Sequence, residues 1–199
     1  MSISYNLPPA QLFIKRVFDV MVAAVSLGML FPFLLVIYLA QKITTRGSAF
    51  FLQERIGRYG KPFLILKFRT MKENAEENGP QLCSDCHNRH QYTPIGRFLR
   101  SHHLDELPQL INVLKGDMSL VGYRPERQHF IDLILQHDKR YSQLYQMRPG
   151  ITSEAAIYNG YTDTIEKMLI RLEMDLKYQK HPTLLKDLTI LLQTLQSIF

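Results

Sequence analysis

Two carboxylates stand side by side in Leu104-Asp105-Glu106-Leu107-Pro108-Gln109, and cations surround them in the chain. Arg97 and Arg100 lie just upstream with His102 and His103, and Gly122-Tyr123-Arg124-Pro125-Glu126 follows. Adjacent carboxylates can divide their labour, one ligating a divalent cation while the other attacks phosphorus. Arginines supply the paired donors that bind phosphate and neutralise transition-state charge. Acid for Mg²⁺ with Arg for phosphate is the ingredient list for phosphoryl transfer from a nucleotide. The bland alternative for Asp105 and Glu106 is capping. Leu107, Leu110, Ile111 and Leu114 recur at helical spacing, Gly116 can end the helix, and a helix beginning near Asp105 would carry both acids at its positive end. No GxGxxG or Walker A pattern appears, so a Rossmann or P-loop device would not hold the nucleotide.

Something must present such a pair to its substrates, and the N-terminal third shows what. Residues 1–72 hold ten basic and two acidic side chains, whereas the 199-residue chain as a whole carries only +6. The same third contains Val20–Gln41, twenty-two residues without a charge. As a helix this run would be roughly 33 Å long, close to the hydrocarbon core of a bilayer at about 30 Å. Asp19 and a late start argue against a cleaved signal peptide. Pro32 sits near the middle, where it removes a helical hydrogen bond. Lys15 and Arg16 flank one end, and Lys42, Arg46, Arg55, Arg58 and Lys61 the other. A single crossing would put one of these basic flanks on the wrong side. A re-entrant helix bent at Pro32 keeps both flanks on one face, against anionic headgroups.

The remainder reads as a small α+β domain. Phe50–Met71 predicts a β-hairpin around the Gly57–Gly60 turn, with Leu64, Leu66 and Phe68 on one face of its second strand and Phe63, Ile65, Lys67 and Arg69 on the other. Lys67 and Arg69 could line an anion site or a solvated edge. Amphipathic helices are expected at 164–179 and 183–199, packed on the core or lying in the membrane interface. Cys83, Cys86, His87 and His90 raise the question of zinc, but one short stretch would have to supply all four ligands. Two cysteines exclude a disulfide scaffold, and 46% hydrophobic residues exclude a disordered tail. The expected division is an anchor over 1–46 and a catalytic domain over 47–199. Nucleic acid is not an expected partner, since the basic residues surround an apolar anchor and form no groove-reading helix.

Several blocks in order make the chain resemble the bacterial sugar transferases, the monotopic phosphoglycosyl transferases. These blocks are Lys15-Arg16-Val17-Phe18-Asp19, Gln53-Glu54-Arg55-Ile56-Gly57, Lys67-Phe68-Arg69-Thr70-Met71, Gly96-Arg97-Phe98-Leu99-Arg100, Leu104-Asp105-Glu106-Leu107-Pro108-Gln109 and Gly116-Asp117-Met118-Ser119-Leu120-Val121-Gly122. The resemblance implies that Asp105 attacks the β-phosphorus of a UDP-sugar, and that Glu106 beside it helps bind Mg²⁺. Undecaprenyl phosphate would then take the sugar-phosphate from Asp105. Pro32 would break the re-entrant helix, and Arg124 would contact phosphate, with Lys67, Arg69, Arg97 and Arg100 as further phosphate candidates. The implied location is the cytoplasmic face of the bacterial inner membrane, at the start of a surface-glycan pathway whose later glycosyltransferases are possible partners. A non-catalytic, membrane-anchored relative acting as a scaffold or ligand-binding protein is the alternative. Tyr123 replaces the first proline of the family's Pro-Arg-Pro motif, which would loosen the turn presenting Arg124. Ser153-Glu154-Ala155-Ala156 replaces the usual Gly-Leu-Ala-Gln, which puts the identity of the sugar in question.

Overall fold

The computed structural model describes residues 7–45, 47–72, 91–160 and 162–198. The Cys83, Cys86, His87 and His90 group lies outside them, as does Arg46. A 36-residue helix, α1, runs from Pro9 to Thr44 with a proline at its start and Pro32 inside it. Its buried residues are Lys15, Asp19 and Ala23 toward one end, and Ile37 and Gln41 toward the other. Between them the apolar side chains face outward, Val25, Met29, Phe31 and Val36 among them. Arg16 Nη1 donates to the Val113 carbonyl at 2.7 Å, and the Ser119 hydroxyl donates to Asp19 at 2.6 Å. At the far end Gln41 Nε2 donates to the Arg69 carbonyl at 2.6 Å, while Ile37 packs with Phe68 and Leu99. One globular body therefore grips both ends of the apolar run. A helix crossing a bilayer would part its ends by about 30 Å, with that body on one side only.

Strands β1 (Phe50–Ile56) and β2 (Pro62–Phe68) form the predicted antiparallel hairpin, with Phe50 opposite Phe68 and Ile56 opposite Pro62. Its turn, a 3₁₀ segment at Arg58–Gly60, places Tyr59 and Gly60 at positive φ. The Phe63–Ile65–Lys67 face turns inward, and Ile65 joins the main core. Helix α2 (Gly96–Ser101) packs Leu99 under the hairpin, and α3 (Gln109–Lys115) follows. Asn112 of α3 treats β2 as a neighbouring strand would. Its Nδ2 donates to the Leu64 carbonyl at 2.8 Å, and its Oδ1 accepts the Leu66 N–H at 3.0 Å. Gly116 ends α3 in the left-handed region, as its C-cap position predicts.

Strands β3 (Ser119–Val121) and β4 (Gly150–Thr152) pair in parallel, and α4 (Gln128–His137) lies between them in sequence. Backbones meet closely here. A Cβ at Gly122 would stand 2.4 Å from the Arg148 carbonyl oxygen, so only glycine fits. Tyr123, the departure from the family's proline, is fully buried and fills the core. Helices α5 (Glu154–Tyr158), α6 (Ile165–Lys180) and α7 (Leu184–Ile198) complete the domain. Thr164 caps α6 by accepting the Lys167 N–H, and Met168, Leu172 and Leu176 enter the core. In α7 the inward positions include Asp187 and Ile190, while Leu185, Leu188, Leu192 and Leu195 are exposed. Leu191 packs on the core, so the helix docks by one face and leaves these four leucines outward.

Candidate active site

Asp105 and Glu106 do not open a helix. They lie in a separate 3₁₀ turn, Leu104–Glu106, entered through His103 in the left-handed region (φ 54°). Pro108 then caps α3, which begins at Gln109, because a proline cannot donate to the preceding turn. Capping of α3 therefore does not account for the two acids.

The hairpin brings Lys67 to this turn. Its Nζ donates to Glu106 Oε1 at 2.6 Å, and Arg124 Nη2 reaches the same oxygen at 3.5 Å. Burial alone would raise the proton affinity of Glu106, but Lys67 and Arg124 override it and hold the carboxyl far below the usual carboxylate range. Asp105 moves the opposite way. It is buried, and burial followed by the negative charge of Glu106 pushes its pKa up, with Lys67 and Arg100 opposing. Among the described residues no hydrogen bond or ion pair reaches the Asp105 carboxylate. The two neighbouring carboxylates are driven apart: Glu106 stays ionised and clamped, while Asp105 is the more basic of the pair.

The other predicted residues separate. Arg100 is half-buried on α2, close enough to act on Asp105, and donates to Met71 Sδ at 3.4 Å. Arg69 follows β2, where its N–H donates to the Ala49 carbonyl and its own carbonyl receives Gln41. Arg97 is exposed on α2, and among the described residues no contact joins it to the acidic pair. Among these residues no cluster of three or more His, Cys, Asp or Glu side chains suitable for a metal occurs. The donor set nevertheless fits Mg²⁺, which is held by one or two carboxylates with substrate phosphates supplying further oxygens. Among the described residues the Asp105 carboxylate is uncommitted, whereas Lys67 and Arg124 already engage Glu106 Oε1.

Sequence reasoning missed the layer that holds Arg124. Arg55 Nη1 donates to the Pro125 carbonyl and to Glu126, each at 3.2 Å. Arg171 takes the other Glu126 oxygen at 3.3 Å and ties in Thr162 and the Gly160 carbonyl. Asp175 accepts the Arg124 backbone N–H and the Ser153 hydroxyl. A signal existed: two charged residues, 171 and 175, stand four apart beside the apolar stripe of α6. Their partners lie far away in the chain, so the spacing alone does not reveal them.

Burial raises Asp175 to about 8, with Arg171 opposing. An unfolded Asp ionises near pH 3.9. The folded state therefore holds the extra proton from about pH 4 to 8, and stability falls as pH rises through that window. Asp175→Asn should flatten the decline. Thermal melts at pH 5, 6, 7 and 8 check this, and a wild-type Tm that falls no more than the variant's would refute a neutral buried Asp175.

Comparison with known proteins identifies the family. A family model, Bacterial sugar transferase, matches residues 10–199. The chain is 42% identical to the UDP-glucose:undecaprenyl-phosphate glucose-1-phosphate transferase of Caulobacter vibrioides, over 92% of this chain and 69% of that protein. It is 36% identical to the UDP-N-acetylgalactosamine-undecaprenyl-phosphate N-acetylgalactosaminephosphotransferase of Aeromonas hydrophila, over 96% of this chain but only 44% of that protein. A further relative, the UDP-glucose:undecaprenyl-phosphate glucose-1-phosphate transferase of Escherichia coli, is 39% identical, and the chain spans 39% of its length. Both the acidic turn and the apolar helix fall within the matched region, and the chain belongs to the bacterial sugar transferase family.

Proposed function

We propose that this protein transfers a sugar-1-phosphate from a UDP-sugar to undecaprenyl phosphate. The carrying observation is a buried Asp105, without a hydrogen bond or ion pair among the described residues, beside a Glu106 that Lys67 and Arg124 keep ionised. An Asp105 oxygen attacks the β-phosphorus, and the bond from that phosphorus to the bridging oxygen breaks. UMP leaves with the bond's electrons, and an acyl phosphate carrying the sugar remains on Asp105. A phosphate oxygen of undecaprenyl phosphate then attacks the same phosphorus, the aspartyl bond breaks, and the carboxylate is restored. Covalent relay divides one difficult transfer into two easier ones.

Lys67, Arg124 and Arg100 direct positive charge at the position of the transferring phosphate. Asp105 and the second oxygen of Glu106 would hold Mg²⁺, which when bound would neutralise charge on the diphosphate. Arg69 is retained as a phosphate contact from the end of β2, and Arg97, exposed on α2, as an outer one. Asp175, Glu126 and Arg55 fix the backbone that presents Arg124. In this reading α1 is a monotopic anchor on the cytoplasmic face of the inner membrane, with its two docked ends keeping the site at headgroup level, where a lipid phosphate lies. The product would feed the glycosyltransferases that extend a surface glycan.

The relatives named above differ in sugar, glucose in one and N-acetylgalactosamine in another. The test is UMP release from a panel containing both UDP-sugars, with Mg²⁺ and undecaprenyl phosphate. Release that needs the lipid acceptor for multiple turnovers supports the reading. Folded protein that releases no UMP from any UDP-sugar would argue for the non-catalytic alternative. Topology has its own test. Tyr5→Cys and Thr45→Cys should both react with an impermeant thiol reagent from the cytoplasmic side in a background lacking Cys83 and Cys86. Labelling from opposite sides would establish a crossing helix.

A further inference from the structure

A shallow surface cleft lies at the base of α1, and no residue of the acidic turn lines it. Leu12, Lys15, Arg16, Asp19, Arg58 and Arg148 line it, four cations to one carboxylate. Pairing with Asp187 neutralises one of the four cations. Lys15 Nζ donates to Asp187 at 2.6 Å, and Asp19 accepts the Ser119 hydroxyl and the Leu120 N–H. Three guanidinium groups remain, from three elements: α1, the hairpin turn, and the segment leading into β4.

Two of them cap the carbonyl end of α3. Arg16 donates to Val113 and Leu114, and Arg148 Nε donates to the Gly116 carbonyl at 3.0 Å. Asp19 keeps its negative charge in the same cleft and acts on Arg148, and a helix C-terminus adds only about half a negative charge, so the three guanidinium groups still outweigh them. Arg58 uses Nε on the Gln146 carbonyl and lies over the Tyr59 ring at 4.6 Å. Among the described residues the Nη groups of Arg58 and Arg148 have no hydrogen-bond partner, so each keeps donors for an anion. Burial lowers the Arg148 pKa, and the charges of Arg58 and Arg16 lower it further, so these groups crowd one another. Such crowding is relieved by a shared anion, and paired guanidinium N–H groups match phosphate oxygens.

The cleft's surroundings indicate the kind of anion. Leu12 forms part of its wall, and next to it on α1 Phe13 is 70% exposed. Tyr59 is exposed beside Arg58 at the hairpin turn, an aromatic and basic pairing typical of the bilayer interface. None of these residues belongs to the group around Asp105, Glu106, Lys67 and Arg124. We infer that Arg16, Arg58 and Arg148 form a second phosphate site that binds the headgroup phosphate of an anionic glycerophospholipid and ties the anchor's base to the bilayer surface. The inference rests on α1 being a membrane anchor, but not on the transfer chemistry.

The experiment titrates full-length protein in neutral detergent with dihexanoylphosphatidylglycerol, dihexanoylphosphatidylcholine and inorganic phosphate, and follows Tm. Phosphatidylglycerol should raise Tm saturably and bind more tightly than the other two. Arg58→Gln and Arg148→Gln should each weaken it by about tenfold or more, the loss expected for a charge-assisted contact. Arg124→Gln and Asp105→Asn should bind it as wild type does, so an enzyme inactive for other reasons still reports on this site. Because Arg148 also caps α3, Arg58→Gln carries the result if Arg148→Gln does not fold. Equal affinity in wild type and Arg58→Gln would overturn the site. Inorganic phosphate binding as tightly as the lipid would overturn the headgroup assignment, and weakening by Arg124→Gln would move binding to the catalytic group.

Discussion

Asp105→Asn is expected to reduce UMP release by at least about a thousandfold, because an amide cannot form the acyl phosphate and a nucleophile is not replaced by its neighbours. The same substitution should leave Tm unchanged or raise it. Asp105 carries the cost of burial and of a like charge at Glu106, and a neutral amide removes both. Loss of activity together with retained or improved stability distinguishes a functional carboxylate from a structural one. UMP assays and melts on one preparation measure both quantities. A variant that releases UMP at the wild-type rate would remove Asp105 from the mechanism.

The second large effect concerns the ion pair beneath it. Lys67→Met keeps the side chain's length and removes its charge, leaving Glu106 with Arg124 at 3.5 Å. Breaking one side of a largely buried pair costs about 3 kcal/mol or more, chiefly through the stranded charge. The pH dependence has a definite sign. Glu106 is held well below its unfolded pKa of about 4.3, so its contribution is complete above that value and disappears as pH falls through the folded pKa. Without Lys67 the carboxyl can accept a proton at milder acidity. The Tm deficit of Lys67→Met should therefore be large at pH 7 and shrink toward pH 5. Adding Glu106→Gln should recover much of the stability at pH 7, while turnover stays at least about a hundredfold low because the phosphate loses positive charge. A single variant as stable as wild type at pH 7 would contradict the clamp.

Local patterns marked the residues proposed to carry the chemistry. Asp105, Glu106 and Arg124 were legible because their types suit phosphoryl transfer, and Pro32 and the uncharged run because a bilayer sets a length. The alternation in β2 placed Lys67 on one face with Phe63 and Ile65, and that face turned inward. Three things were not legible. Asp105 and Glu106 occupy a 3₁₀ turn and not the first turn of α3, since helical spacing after Leu107 says nothing about the backbone before Pro108. Arg97 and Arg100 share one short helix, yet Arg100 is half-buried with its charge felt at Asp105 while Arg97 is exposed, a difference in facing that the sequence spacing does not show. The network of Arg55, Glu126, Arg171 and Asp175 joins residues up to 120 positions apart, and only tertiary packing brings them together.

The central claim is that Asp105 carries the sugar-phosphate between donor and acceptor. Intact-protein mass spectrometry after brief incubation with Mg²⁺ and the preferred UDP-sugar, without undecaprenyl phosphate, tests it most directly. The account predicts a mass increase of one sugar-phosphate on the wild type, discharged on adding the lipid acceptor and absent from Asp105→Asn. A wild-type enzyme that turns over normally with both substrates but never gains that mass, even with rapid quenching, would contradict it and favour direct attack by the lipid phosphate.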